Sequence, residues 1–415
     1  MTAASDFAPG AEVMARLAAL GRFSEDPDCL TRRYLSDAHK GAAAQVLDWM
    51  AEAGMSARLD AVGNAVGRYE AARPGAPALL IGSHIDTVRD AGLYDGNLGV
   101  VAAIACVEAL KLSGRRLPFA LEVIAFGDEE GGRFPTALTG SRAVAGRLAE
   151  GVLDLRDEAG TSLRRALTEF GCDPSTAYET GRGADEVLAF VELHIEQGPV
   201  LEAEDLALGV VTAINGATRC NVEVEGFAGH AGTVPMALRR DALAGAAEMI
   251  AAVERRGGAE PDLVATVGRI EALPGAVNVV PGKVRFTLDV RAPDDAQRVS
   301  AFEAIEADLR AIAERRGLGF SLERSHEAPA AACAPGLMDQ FEAALERGGH
   351  RPFRLPSGAG HDAMSFSGLC PIGMLFLRCA GGISHHPDES VTTEDVDAGV
   401  RVLLDFILNF EPDRP

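Results

Sequence analysis

The sequence predicts an α/β fold carrying a second, inserted domain. Three observations predict it. At 415 residues the chain is too long for one ordinary core, so two domains are expected. Before residue 130 it reads strand, helix, strand, with polar residues at the strand ends. After residue 213 the period changes: Cys220, Val222 and Val224 alternate with Asn221, Glu223 and Glu225, the pattern of a half-exposed strand.

Residues 11–56 are expected to be helical, with Val46, Leu47, Met50 and Ala53 on one apolar face and Gly54 as the stop. Residues 57–69 supply one or two strands, and Arg73-Pro74-Gly75 marks a turn. Leu79, Leu80 and Ile81 begin a buried strand that breaks at Gly82 and delivers His84 and Asp86. Residues two apart in an extended chain share a side, so these two can face one site. A loop rich in Gly and Asp then brings in Asp95, and 97–111 reads as a helix with Val101, Ile104 and Leu110 apolar. The next apolar run, 119–126, ends in Gly127-Asp128-Glu129-Glu130. Residues 150–188 are polar and helix-prone, and 187–193 is a strand ending in His194-Ile195-Glu196-Gln197-Gly198. Ligand sites in such layouts gather at the carboxyl ends of strands.

In the second domain a helix is expected with Leu238, Ala242, Leu243, Ala246 and Ile250 on one side. Strands follow at 263–270 and 284–291, then a helix with the stripe Phe302, Ile305, Leu309 and Ile312, then a strand at 319–324. The order β-α-β-β-α-β is the ferredoxin-like arrangement. The segment HEAPAAACAPG, from His326, reads as the return linker. The inserted domain is therefore placed at 213–328, and the first domain at 1–212 and 329–415.

A hydrophobic content of 47% and a charged content of 24% belong to a soluble globular protein. The net charge of −22 repels nucleic acid and anionic membrane, and its ordinary meaning is a solubilising surface. No segment is long and apolar enough to span a membrane. The N-terminal MTAASDFAPGAEV shows no signal-peptide pattern. The seven cysteines are odd in number, scattered and without a C-x-x-C pair, which predicts reduced thiols in a cytoplasmic protein.

Four strand ends offer metal-binding groups: His84 with Asp86, Glu129-Glu130, His194, and the late segment containing Ser384-His385-His386-Pro387; Asp95 lies on the first loop. Imidazole and carboxylate without thiolate suit catalytic Zn²⁺ or Mn²⁺. Two metals about 3.5–4 Å apart can share one carboxylate, and Asp95 is the natural bridge. Adjacent glutamates point in different directions, so one of Glu129 and Glu130 can bind metal while the other takes a proton. A carboxylate crowded by another has a raised pKa, which suits a general base. A lone strand-end His is more often simply hydrogen-bonded, and a lone Glu pair is more often solvated. The convergence of several such motifs on one pattern favours the metal. His39, His326 and His350 lie in polar surroundings and are given no role.

The motifs GSHIDTV, D-G-x-L-G, DEEGGRF with LTGSRAVAG, HIEQGP, and SGAGHDA with GISHHPDE span nearly the whole chain in one order. As a set they resemble the dinuclear-metal amidohydrolase family that includes allantoate amidohydrolase, N-carbamoyl-L-amino acid hydrolase and β-ureidopropionase, itself related to zinc aminopeptidases and aminoacylases. The resemblance implies a zinc-exopeptidase-like catalytic domain with a central mixed sheet, plus an inserted lid and dimerisation domain. It implies two divalent ions (Zn²⁺ or Mn²⁺) per subunit. One would be held by His84, Asp95 and His194, the other by Asp95, Glu130 and His385, the pattern S-H-x-P selecting His385 over His386. Glu129 would be the general base, and Asp86 would orient His84. Gln197 would meet the ureido group, and Asn278 and Arg291 the substrate carboxylate. His230, presented by the partner subunit, would stabilise the oxyanion. Ser357, Gly358, Gly360 and His361 would lie in a loop around the substrate.

The implied protein is a cytoplasmic homodimer with no nucleic-acid or membrane partner. It would release ammonia and carbon dioxide from the terminal carbamoyl group of a ureido acid, in purine catabolism if the substrate is allantoate. The polar loops TVRDAGLYDGN, GRFPTALTGS and LPSGAGHDAM favour allantoate over an N-carbamoyl-L-amino acid. The rivals are a peptidase or deacylase on the same scaffold and a non-catalytic relative. His194 with Gln197 argues against the first. The complete ligand set argues against the second.

Overall fold

The structure is a computed structural model that describes residues 8–412. The opening of the segment read for a signal peptide, residues 1–7, lies outside the described residues. The chain divides into two compact units. Of the described residues, one takes 8–212, Cys333–Leu355 and 360–412; the other takes Ala213–Ala332 and Pro356–Ala359.

The chain begins with α1 (Gly10–Leu20), α2 (Asp37–Glu52), β1 (Ser56–Leu59), β2 (Ala65–Tyr69), β3 (Ala78–His84), α3 (Asn97–Leu112) and β4 (Ala120–Phe126). It continues with α4 (Thr139–Val144), α5 (Leu163–Phe170), β5 (Val187–Ile195), α6 (Val200–Ala203) and β6 (Leu208–Ile214). The second unit brings β7 (Gly216–Glu225), β8 (Gly229–His230), α7 (Ala242–Gly257), β9 (Val264–Thr266), β10 (Ile270–Leu273), β11 (Val279–Val280), β12 (Lys283–Ala292), α8 (Asp295–Arg316), β13 (Gly319–Ala328) and β14 (Ala331–Ala332). The chain closes with α9 (Pro335–Arg347), β15 (Arg354–Ser357), α10 (Ala363–Phe366), β16 (Ile372–Leu377) and α11 (Thr393–Asn409).

The first unit is built on a mixed sheet whose order runs β1-β2-β4-β3-β5-β16-β6. Its centre is parallel: β3 pairs with β4 and β5, and β16 with β5. The flanks β2 and β6 run antiparallel to it. All seven residues of β3 and of β4 are buried, as expected of parallel strands covered on both faces. The four parallel strands share a direction, so their carboxyl ends line one edge. There β3 ends in His84, β4 runs into Asp128–Glu130, β5 carries His194, and β16 leads to His385. Helix α3 is buried along almost its whole length. It approaches the sheet closely at Gly99, where a Cβ would collide with the Leu193 carbonyl oxygen.

In the second unit an antiparallel sheet of order β10-β12-β7-β13, with β9 also on β12, packs α7 and α8 against one face. Val222, Val224, Phe286 and Leu288 meet Met249, Phe302, Ile305 and Leu309 in its core.

Four expectations are corrected. Residues 21–36 are not helical: Leu30 bridges Ala91 instead, and a helix resumes only at the Ser36 cap, whose hydroxyl accepts from His39 N. The stretch 263–270 is not one strand but splits into β9 and β10. Helix α7 begins only after Asp241, whose carboxylate accepts from Leu243 N and Ala244 N. That cap sets the phase of the helix, so Ala242, Ala246, Met249 and Val253 face the core, while Leu238 and Leu243 are 74% and 38% exposed. Strand β13 runs through His326 to Ala328, because a register shift after Arg324 lets it keep pairing with β7. The return linker is correspondingly shorter.

Gly99→Ala should destabilise the first unit by about 1–3 kcal/mol, the usual cost of overpacking. Urea unfolding followed by circular dichroism measures it, and an unchanged midpoint would show that α3 can shift away at no cost.

Candidate metal centre

His84 and His194 sit at the ends of parallel neighbours with rings stacked at 5.8 Å. Each is fixed in the same way. Nδ1 of His84 lies 2.9 Å from the Asp86 carbonyl oxygen, and Nδ1 of His194 lies 2.8 Å from that of Ile195. A carbonyl only accepts, so Nδ1 carries the proton in both rings. Both Nε2 atoms face Asp95 Oδ1 at 3.2 Å, and that of His194 also accepts from Gly96 N at 3.2 Å. That oxygen is buried and accepts no hydrogen bond. Two imidazole nitrogens turned toward one buried carboxylate oxygen make three ligand atoms, a set that fits a cation.

The other side of Asp95 faces a second group. Oδ2 lies 3.3 Å from His385 Nε2, which in turn lies 3.5 Å from Glu130 Oε1. His84 with Asp95 and His194, and Asp95 with Glu130 and His385, each offer three ligand atoms within 4.8 Å of one another. His386 points away, towards Asp388 at 3.6 Å. His385 is held with φ +56 and Gln197 with φ +58, left-handed backbone at both turns that enter the site. Gln197 Nε2 donates to Asp95 Oδ2 at 2.7 Å, so its amide nitrogen is engaged and its Oε1 is the free acceptor. Ser384 Oγ donates to the same Asp95 oxygen at 2.7 Å.

Asp86 acts in two ways. Its main-chain carbonyl, not its carboxylate, meets His84; the carboxylate stays 4.0 Å from Nδ1. The carboxylate oxygens instead accept from Glu129 N at 3.2 Å and Glu130 N at 3.3 Å, anchoring the turn that carries both glutamates.

The electrostatics are those of crowded acids. Burial, with Glu130, Asp362 and Asp86 nearby, pushes the Glu129 carboxyl well above the ordinary carboxylate range despite His84. Burial and the Asp95 charge push Glu130 up to about 7. Asp95 goes the other way: burial opposes ionisation, but the imidazoles of His194, His385 and His84 hold it well below the usual range. Burial works against a charged His84, yet Asp95, Glu129 and Asp86 raise it well above an ordinary histidine. A metal ion binding at these nitrogens would therefore compete with protons.

The profile of peptidase family M20/M25/M40 matches residues 80–409, which include every residue of this cluster. The chain belongs to peptidase family M20/M25/M40. It is 42% identical to a probable allantoate deiminase of Oryza sativa subsp. japonica over 95% of this chain and 87% of that protein. It is 39% identical to an N-carbamoyl-L-amino acid amidohydrolase of Geobacillus stearothermophilus over 95% and 97%. Among solved structures, a hydantoinase/carbamoylase family amidase from Burkholderia multivorans superposes with a TM-score of 0.92 at 34% identity, over 96% of this chain and 97% of that one.

Around the M20/M25/M40 centre the remaining expected residues fall into two groups. Gly360 and His361 belong to the first unit. His361 is 1% exposed with its ring edge-on to His194 at 4.6 Å, and Glu192 completes another trio with these two histidines, buried like that of His84, Asp95 and His194. His230, Asn278, Arg291, Ser357 and Gly358 belong to the second unit. There His230 and Asn278 are exposed neighbours: β8 pairs with β11, and Ala231 N donates to the Asn278 carbonyl. Arg291 donates to both Asp289 oxygens and to the Gly358 carbonyl, on the wall of a cavity of about 510 Å³ that Thr287 and Arg219 also line.

Sequence reasoning missed Glu389, which accepts from Tyr94 N and Asp95 N, shares the one Ser384 hydroxyl proton with Asp95 Oδ2, and so holds the Asp95 loop. Its signal was its place in GISHHPDE. Sequence reasoning also misjudged His39. That ring is fully buried, stacked on Phe170 and edge-on to Tyr34, and burial pushes it down to about 3. It is a neutral core histidine.

Asp95→Asn should abolish tight binding of every divalent ion, because it touches both ligand groups, whereas His385→Ala should spare the His84–His194 side. Metal content after dialysis measures this, and equal losses in the two variants would contradict the shared role of Asp95.

Proposed function

We propose that this M20/M25/M40 protein is an amidohydrolase cleaving the terminal carbamoyl C–N bond of a ureido acid, with allantoate ahead of N-carbamoyl-L-amino acids as substrate. The observation that carries the reading is the pair of ligand groups meeting on one buried aspartate. It stands beside relatives named for allantoate and for N-carbamoyl-L-amino acids. His84, Asp95 and His194 would hold one divalent ion, and Asp95, Glu130 and His385 the other. Bound divalent metal supplies Lewis-acid polarisation of the carbonyl and lowers the pKa of water. Glu129, kept basic by burial among carboxylates, takes a proton from the attacking water and returns it to the departing nitrogen, which leaves as ammonia. The carbamate that remains loses carbon dioxide. Gln197 presents its amide oxygen to the ureido N–H groups.

The second unit is proposed as a ferredoxin-like lid and dimer contact. Its β-α-β-β-α-β order supports the first part. Exposed Phe227, Met236, Leu238 and Val277 on the same unit as His230 support the second. Phe227, Met236 and Val277 are each more than 70% exposed, and such apolar surface is characteristic of a protein contact. His230 would then act on the oxyanion in a partner subunit's site, and Arg291 and Asn278 would receive the substrate carboxylate. Cytoplasmic location is proposed on the seven free thiols.

Glu129→Gln should retain metal and lose about 10²–10⁴-fold in kcat. Parallel metal analysis and ammonia release measure it, and a joint loss of metal and activity would make Glu129 a ligand instead of a base. Comparing kcat/KM for allantoate, N-carbamoyl-β-alanine and N-carbamoyl-L-methionine reads transition-state discrimination directly. Allantoate should lead, and a clear preference for the methionine derivative would reassign the substrate while leaving the reaction class in place.

A further inference from the structure

Arg32 is 0% exposed, and among the described residues no carboxylate lies within ion-pair distance of it. A buried charge without a partner is costly, so what it contacts matters. Its Nε donates to the Ile85 carbonyl at 2.6 Å. Nη1 donates to Leu20 O at 2.7 Å and Phe23 O at 3.2 Å, and Nη2 to Asn97 Oδ1 at 2.5 Å. Its main chain is pinned as well: Arg32 N donates to Thr87 Oγ1, and Thr87 N to the Arg32 carbonyl, each at 2.9 Å.

Two of these contacts lead to the metal centre. Ile85 is the residue between His84 and Asp86, so its carbonyl belongs to the backbone that aims both. Asn97 holds the Asp95 carbonyl twice, through its own N–H at 2.7 Å and its Nδ2 at 3.1 Å. One guanidinium therefore ties the end of β3 to the loop that carries the bridging aspartate. These two segments supply His84 and Asp95, whose facing atoms are 3.2 Å apart. The intervening Gly96, at φ +66, brings the loop so close to the His84 ring that a Cβ there would be 2.5 Å from it. A spacing this tight leaves little room for the loop to drift.

We propose that Arg32 is a positioning residue of the metal centre, setting the spacing of His84 and Asp95 through the Ile85 carbonyl and Asn97. A forked donor is required, because one planar group must reach carbonyls in three directions at once; an ammonium cannot do so. The inference rests on the metal reading above. The competing account is a brace that merely joins the end of α1, through Leu20 and Phe23, to the body of the unit.

The test compares wild type, Arg32→Ala, Arg32→Lys and Asn97→Ala. Each metal-free protein is titrated calorimetrically with Zn²⁺ and with Mn²⁺, and thermal midpoints and allantoate hydrolysis are recorded alongside. Affinity at one of two sites should fall about 10–100-fold in Arg32→Ala, the usual effect of losing a group that orients a ligand. Arg32→Lys should not recover it. Millimolar guanidinium ion should restore metal affinity to Arg32→Ala, and methylammonium should not. Asn97→Ala, which keeps all the carbonyl contacts of the guanidinium, should weaken the same site, and it carries the test if Arg32→Ala fails to fold. Wild type binding two ions while the Arg32 and Asn97 variants bind both with unchanged affinity, only their thermal midpoints falling, would overturn the proposal and leave the brace. A wild type that takes up no divalent ion would instead overturn the metal reading, and this inference with it.

Discussion

The first unit is organised around one buried carboxylate. Asp95 is 3% exposed, and its two oxygens face three imidazoles: those of His84, His194 and His385. Around it lie further buried acids, among them Asp86, Asp128 and Glu192. Such crowding is unfavourable unless protons or cations intervene. The fold accepts that cost where it has donors to spare. Asp86 takes two backbone N–H groups, Glu389 takes two more, and Glu192 takes Ser83 Oγ at 2.7 Å and Ala363 N at 3.1 Å. These acids are satisfied by the protein. The Asp95 oxygen between the two histidines is not, nor are one Asp128 oxygen and the two Asp362 oxygens; what sets the Asp95 oxygen apart is the pair of imidazole Nε2 atoms turned toward it.

The sheet explains why this acid and these bases meet. Parallel pairing of β3 with β4 and β5, and of β5 with β16, aligns four carboxyl ends. The residues just beyond them come from positions some 300 apart in sequence, His84 and His385. An apolar body beneath, with β3 and β4 wholly buried, keeps those ends from shifting. Close packing of α3 through Gly99 adds to that rigidity. Rigidity matters because oriented groups lose little by reorganising when charge develops.

Family membership and substrate rest on different evidence. The family profile, matched over residues 80–409, places the chain among M20/M25/M40 proteins. Its relatives are named for different ureido substrates at similar identities, 42% and 39%. Under the proposed reaction the ligand residues would act on the carbamoyl group that these substrates share, so they would not separate one from another. Discrimination falls to groups that meet the rest of the molecule. The second unit supplies candidates in Arg291, with Asp289 beside it, and in Asn278 beside His230.

The sequence by itself determined the buried parallel strands of the first unit, the strand-end motifs and the α/β class, because such strands and their polar termini leave a local pattern of composition. His84, Asp95, Glu129, Glu130, His194 and His385 were legible for that reason, helped by the order of their motifs. Element boundaries set by caps and pairing were not legible. The phase of α7 depends on the Asp241 cap, and the length of β13 on its partner β7. Only the tertiary structure decided that His39 is a core residue, that Asp86 meets His84 through its main chain, and that Arg32 and Glu389 hold the Asp95 loop. The physical reason is common to all of these. A buried polar group is defined by its partners, those partners are distant in sequence, and an Arg or a His carries no local sign of whether the fold will close over it.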